Sequence, residues 1–143
     1  MSQKHGVTTR EAPAEVSATQ AVRVGRLVFI SGQTGRSADS GALLDGLAAQ
    51  TRQLFANLDA ILAGAGCTNA DLVSVTLKFV DLTFFRDVDA IYIRWLPPAS
   101  EVPLPTTTAF VVSALPGGAL VELDAVAALP GAERPHLSVN PSQ

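Results

Sequence analysis

Two β-rich runs, Thr106 to Leu115 and Ala119 to Leu129, are separated only by Pro116-Gly117-Gly118. Proline presets φ and the glycines permit reversal of the backbone, so this stretch predicts a β-hairpin. Its second run carries Glu122 and Asp124, which strand alternation places on one face, with Val121, Leu123, Ala125 and Ala127 on the other. This pattern constrains the fold strongly. One face of the sheet is available for a core, and the other must accommodate two carboxylates. In this reading Thr107 lies across the hairpin from Glu122.

Upstream, residues 1–20 are polar and mixed in sign, which predicts a flexible N-terminal arm. From Ala21 the apolar residues Val22, Val24, Leu27, Val28, Phe29 and Ile30 surround Gly25-Arg26, predicting two short strands that meet at a tight turn. Ser31-Gly32-Gln33 follows. Small residues at a strand exit allow the backbone to approach a ligand closely, although they also suit an ordinary turn. The strongest helical pattern comes next, with Asp45 as the expected N-cap and a stripe of Leu47, Thr51, Leu54, Leu58, Ile61, Leu62 and Ala65. Gln50, Arg52, Gln53 and Asp59 are expected to face elsewhere, and Gly64 or Gly66 to end the helix in the left-handed conformation.

Thr68 to Asp71 has the form of a capping box, and Val73 to Val80 alternates as a strand, with Val73, Val75, Leu77 and Phe79 on the apolar face and Ser74, Thr76, Lys78 and Val80 on the other. Lys78 on its polar face either lines a site or extends its stem from the sheet to water. A second helix, capped by Asp81 or Thr83, runs to about Leu96, where Pro97-Pro98 stops it. Phe84 or Phe85, with Val88, Ile91, Tyr92 and Trp95, forms its apolar stripe. After Leu129 the proline-broken residues 130–143 predict a flexible tail, leaving one domain over 21–129. The order of strands and helices describes an α+β two-layer sandwich, two helices covering one face of a sheet whose other face is open to a subunit interface.

Composition narrows the chemistry. A net charge of −3 with scattered Lys and Arg gives no basic stripe for nucleic acid. A single cysteine, Cys67, allows no intramolecular disulfide, and no apolar run has the length of a membrane span; together these fit a cytoplasmic protein. Both histidines, His5 and His136, fall in the terminal segments, which leaves no Ser-His-Asp or Cys-His mechanism and no metal-ligand cluster. Catalysis would rest on carboxylates, hydroxyls, a lysine, backbone amides or water. Glu122 is the leading candidate for a general acid/base, because a carboxylate on an apolar strand beside a cleft suits proton transfer.

A series of segments carries a resemblance: V-x-V-G-x-L-V-F-I-S-G-Q, A-A-Q-T-R-Q-L-F-A-N-L-D-A-I-L-A-G-A-G, D-L-V-S-V-T-L-K-F-V-D-L, V-D-A-I-Y and L-P-G-G-A-L-V-E-L-D-A-V-A. In this order and spacing they resemble the RidA/YjgF/Rid family over most of the chain. The resemblance implies a chorismate-mutase-like fold and a homotrimer whose sheets face inward and whose ligand clefts lie between subunits. It also implies hydrolysis of reactive enamines and imines to a carbonyl compound and ammonia, with no cofactor. The family's glutamate falls on Glu122, and its S-G-Q turn on Ser31-Gly32-Gln33. Its carboxylate-clamping arginine, in the motif P-x-R-[ST], falls on Thr107, followed here by Thr108. Ala18 stands where the deaminases have a tyrosine, Asp89 where asparagine is common, and Ala109 where cysteine is often found.

Two functions follow as expectations. One is a cofactor-free enzyme acting on a small imine, enamine or carbonyl metabolite, with Glu122 as acid/base. Thr107 and Thr108 would be its hydrogen-bond partners and Gly32 a backbone contact, while Ser31, Ala109, Asp89 and Ala18 would complete the cleft. The other is a trimeric module that binds or senses a metabolite without turnover. A threonine hydroxyl cannot replace a bidentate guanidinium, so standard 2-iminoacid deamination is not expected.

Overall fold

The computed structural model describes residues 3–131. Among these, the strands are β1 (Lys4–Val7), β2 (Ala21–Val24), β3 (Leu27–Gln33), β4 (Leu72–Phe79), β5 (Thr106–Val111) and β6 (Val121–Ala128), and the α-helices are α1 (Leu47–Gly64) and α2 (Phe85–Trp95). The strands form one mixed six-stranded sheet in the order β1-β2-β3-β6-β4-β5. The expected α+β two-layer sandwich is present.

The expected hairpin is not. β6 lies between β3 and β4 and is antiparallel to both, while β5 pairs in parallel with the far side of β4. Pro116–Gly118 does turn the chain, with φ of 67° at Gly117 and 76° at Gly118, conformations that suit glycine. That turn, however, carries the chain past the end of β4 instead of folding β6 onto β5. Local sequence specifies a reversal; which neighbour the reversed strand pairs with depends on β4. Its connection to β5 through α2 is the helical crossover that parallel neighbours require.

The core lies between the helices and one sheet face. Along β6 the buried residues are Val121, Leu123, Ala125 and Ala127, and on β4 they are Leu72, Val75, Leu77 and Phe79. Against these pack Leu54, Leu58, Ile61 and Leu62 of α1 and Val88 and Tyr92 of α2. The apolar stripe expected of α1 is therefore its buried side. Its start differs: Gly46, not Asp45, precedes the first turn, at φ 89° and without a side-chain cap. Gly66, at φ 80°, is the left-handed residue after its end. The capping box at Thr68 is complete, Asp71 accepting from the Thr68 amide at 2.8 Å, and Asp81 caps the 3-10 turn that leads into α2.

The N-terminal segment has more structure than its polarity suggests. β1 pairs antiparallel with β2, so His5 sits on an edge strand, and residues 9–13 wrap around the side chain of Gln20. That side chain is buried; its Oε1 accepts from the Thr9 amide, and its Nε2 donates to the carbonyls of Thr9, Ala12 and Pro13. One buried amide meeting four backbone groups holds a segment that has no apolar periodicity. His136 and most of the expected C-terminal tail lie outside the described residues.

The other sheet face has no helix over it. Strand register gathers Leu27 and Phe29 of β3, Glu122, Asp124 and Val126 of β6, and Lys78 of β4 there. Leu27 and Phe29 are exposed, as is Phe110 of β5, which pairs with Lys78.

Candidate functional site

Glu122 projects from β6 onto this open face beside Gly32. Strand β3 pairs with β6 in regular register from Leu27 to Ile30, then shifts before Gln33 meets Leu123. Ser31 and Gly32 occupy that irregularity, and bulges of this kind re-aim neighbouring side chains. The buried Gln33 side chain donates to the Ser31 carbonyl at 3.1 Å, and the Ser31 hydroxyl donates to the Thr19 carbonyl at 2.6 Å. A Cβ at position 32 would lie 2.8 Å from the carboxyl carbon and from Oε1 of Glu122. Glycine is required here by close approach, since its φ is not positive.

Lys78, directly opposite Glu122 in the register, supplies the counter-charge. Its Nζ is 3.4 Å from Glu122 Oε1 and 3.4 Å from Asp124 Oδ2. Partial burial pulls the ammonium pKa down, but the charges and hydrogen bonds of Glu122 and Asp124 outweigh it and hold the group above its ordinary range. The sequence leaves Lys78 between lining a site and reaching for water, and the fold sets it against the carboxylates.

Glu122 and Gly32 open onto a hollow of about 270 Å³ whose other walls are Thr34, Arg36, Glu15 and the Pro116-Gly117 turn. Two buried side chains of α1 pin these walls. Asn57, fully buried, donates to the carbonyls of Thr34 at 3.1 Å and Arg36 at 2.9 Å. Gln50 donates to the Leu44 carbonyl at 3.0 Å and accepts from the Leu120 amide at 2.9 Å. Gln50 was expected to face away from the core; it turns inward because the backbone beyond β3 and before β6 needs partners. Gly35, just beyond β3, lets the chain run against the backbone of Gln50, where a Cβ would collide.

The remaining expected site residues are placed differently. Thr107 pairs with Val75, whose side chain is buried under the helices, whereas Glu122 pairs with Lys78 on the open side. Within one chain the two therefore sit on opposite faces, two strands apart. The Thr107 hydroxyl is 3.0 Å from that of Tyr92. Burial raises the Tyr92 pKa, the Thr107 hydrogen bond counteracts it and nearby Asp89 adds to it. Thr108 pairs with Thr76 on the open side and Ala109 with Leu77. Ala18 is exposed in the segment before β2, and Asp89 is half-buried on α2. Glu15 and Arg36 were not legible as site residues. They are separated by 21 positions in segments without periodicity, yet Arg36 Nη2 donates to Glu15 Oε1 at 2.7 Å.

A larger hollow of about 650 Å³ lies on the outer side of the helices, between Phe55 of α1 and Ile91 of α2. Trp95 donates its indole N–H to both Asp59 carboxylate oxygens at 3.0 Å there. Burial raises the Asp59 pKa, partly offset by that indole bond. None of the expected site residues lines it. Among the described residues no cluster of three or more His, Cys, Asp or Glu is placed to hold a metal ion, and no helix is long and apolar enough to cross a membrane.

Residues 9–129 match the Endoribonuclease L-PSP family, which spans the fold from the Gln20 wrap to the end of β6. The chain belongs to this RidA/YjgF family. It is 37% identical over 123 residues to the 2-iminobutanoate/2-iminopropanoate deaminase of Rattus norvegicus, covering 85% of this chain and 87% of that protein. It is also 37% identical over 122 residues to a RutC family protein of Aquifex aeolicus (strain VF5), covering 85% of this chain and 96% of that one. Among solved structures, RidA from the Antarctic bacterium Psychrobacter sp. PAMC 21119 superposes with a TM-score of 0.83 at 34% identity, over 87% of this chain and 99% of that one. The RidA/YjgF fold thus accounts for the strand order, the central β6 and the uncovered sheet face.

Proposed function

We propose that this RidA/YjgF member hydrolyses small imines or enamines without a cofactor, with Glu122 as the general acid/base, in clefts completed by neighbouring copies in a cytoplasmic homotrimer. The observation that carries the reading is Glu122 on the central strand, packed on Gly32 and opening onto a hollow with pinned walls. The deaminase named among its relatives supports the reaction class. Water enters beside Glu122, whose carboxylate takes one of its protons as the oxygen bonds to the imine carbon and the C=N π electrons move to nitrogen. Glu122 then delivers the proton to nitrogen. Collapse of the carbinolamine breaks the C–N bond as the hydroxyl proton passes, through Glu122 or solvent water, to the departing nitrogen, so that a carbonyl compound and ammonia result.

The exposed apolar residues Leu27, Phe29 and Phe110 on the open face support association through that face. Association also offers Thr107 a place in the cleft, since a neighbour can present β5 where this chain's own β5 cannot reach. At that position threonine supplies hydrogen bonding and no charge, which disfavours standard 2-iminoacid deamination through that contact. The same residue favours the alternative of a metabolite-binding module without turnover. Ammonia and carbonyl release from freshly generated imines, compared between the native chain and Glu122→Gln, separates the two. A fall of about 10²-fold or more supports acid/base catalysis; equal rates above the uncatalysed reaction refute it, and no turnover in either protein favours the binding module.

A further inference from the structure

Arg36 is the cation among the residues that line the Glu122 hollow. Lys78 is absent from that lining, and its ammonium is shared between Glu122 and Asp124. We propose that Arg36, and not the residue at the Thr107 position, is the anion-binding residue of this cleft, so that carboxylate-bearing imines such as those named for the deaminase relatives stay within its reach. The proposal deepens the hydrolase reading and rests on it.

Three features argue for it. First, the backbone of Arg36 is fixed on both sides: its carbonyl accepts from fully buried Asn57 at 2.9 Å, and it bridges to Leu43. A guanidinium on a fixed stem loses less freedom when it binds a ligand. Second, among the described residues its only side-chain hydrogen bond is Nη2 to Glu15 at 2.7 Å, while a guanidinium has five N–H donors in a planar fork. The side chain remains about one-third exposed, at 32%, so the other donors are accessible from the hollow. Third, the Glu15 pair is not needed to hold its own segment. Four hydrogen bonds between the buried Gln20 side chain and the backbone of Thr9, Ala12 and Pro13 already anchor the chain just before Glu15, and an ion pair whose side chains are 32% and 27% exposed contributes little stability. What Glu15 does is orient the fork.

Size limits the class further. At roughly 30 Å³ for each water-sized group, a hollow of about 270 Å³ admits fewer than about ten heavy atoms. A short 2-imino acid fits, its anion toward Arg36 and its C=N carbon toward Glu122.

The test compares the native chain, Arg36→Gln, Arg36→Lys and Glu122→Gln, each checked for native folding by circular dichroism. The substrates are 2-iminobutanoate and the neutral imine of butanone, both generated in place. Arg36→Gln is expected to lower kcat/KM for the anionic imine at least 10-fold relative to the neutral one, mostly through KM, with Arg36→Lys intermediate because it keeps charge but not the fork. Independently of turnover, NMR of the native protein should show the Arg36 side-chain N–H signal shifting with 2-oxobutanoate and not with butanone. An unchanged anionic-to-neutral ratio in Arg36→Gln overturns the proposal. So does the absence of any Arg36 shift in the native chain, which applies even if the variants misfold. Failure of the hydrolase reading looks different: Glu122→Gln then keeps full turnover while 2-oxobutanoate still shifts Arg36.

Discussion

Gly32 and Glu122 occupy neighbouring strands so closely that one methyl group on Gly32 would stand 2.8 Å from the carboxylate. The contact is with the end of a flexible side chain, so Gly32→Ala should move Glu122 instead of breaking the sheet. Rotating a side chain away from its preferred well costs about 0.5–1.5 kcal/mol, partly offset by the stiffer unfolded chain. Thermal stability should therefore change little, while imine hydrolysis falls by about 10²-fold, the scale expected of a reacting group displaced by about 1 Å. Melting curves and turnover measured on the same preparation check both halves.

Asn57 carries a different kind of burden. Removing its amide leaves the Thr34 and Arg36 carbonyls without their donor, at about 1–3 kcal/mol for each buried group left unpaired. Asn57→Ala should lower unfolding free energy by about 2–6 kcal/mol, summed from that range, read from urea titration. A loss below about 1 kcal/mol would show that these walls do not depend on the helix.

Elements with a clear period were legible in the sequence: the stripe of α1, the capping box at Thr68 and the turn at Gly25-Arg26 appear where expected, and the alternation of β4 holds from Val75 onward, whereas Val73 is exposed and Leu72 buried where the pairing with β6 shifts. Glu122 was legible for the same reason, as a charge breaking an apolar alternation. The order of strands was not, because Pro116–Gly118 specifies a reversal without specifying a partner, and β4 intervenes between β5 and β6. Nor were Gln20, Gln50 and Asn57, whose buried roles depend on backbone groups distant in sequence that no local pattern reveals. Arg36 and Glu15 belong with them.

High pH should weaken the fold through two groups. Lys78 and Tyr92 are both held above their ordinary pKa values of 10.5 and 10.0 in the folded chain. Each keeps its proton longer in the folded chain than in the unfolded one, so their contribution is complete below about pH 10 and fades as pH rises through the folded values. Urea midpoints should fall between pH 9 and pH 11.5, and fall less in Lys78→Met and in Tyr92→Phe. Identical pH slopes in all three proteins would contradict this assignment.

Phe29 is 47% exposed on the uncovered face, opposite Val126. If that face is the one through which copies associate, Phe29→Glu should shift the protein from trimer to monomer in light scattering coupled to size exclusion, with circular dichroism unchanged. A native chain that is already monomeric at the same concentration would remove the proposed association, and a trimeric variant would place it elsewhere.

The central position of β6 also governs the order in which the molecule can be assembled. Before residues 121–128 exist, the chain holds two unconnected pieces of sheet, β1-β2-β3 on one side and β4-β5 on the other. The last of the described strands to leave the ribosome is the one that joins them, pairing Glu122 with Lys78 across 44 positions of sequence. Contacts that distant slow folding. Here they also mean that a partly synthesised chain has neither a closed sheet nor its candidate catalytic carboxylate, so that structural completion and chemical competence arrive with the same strand.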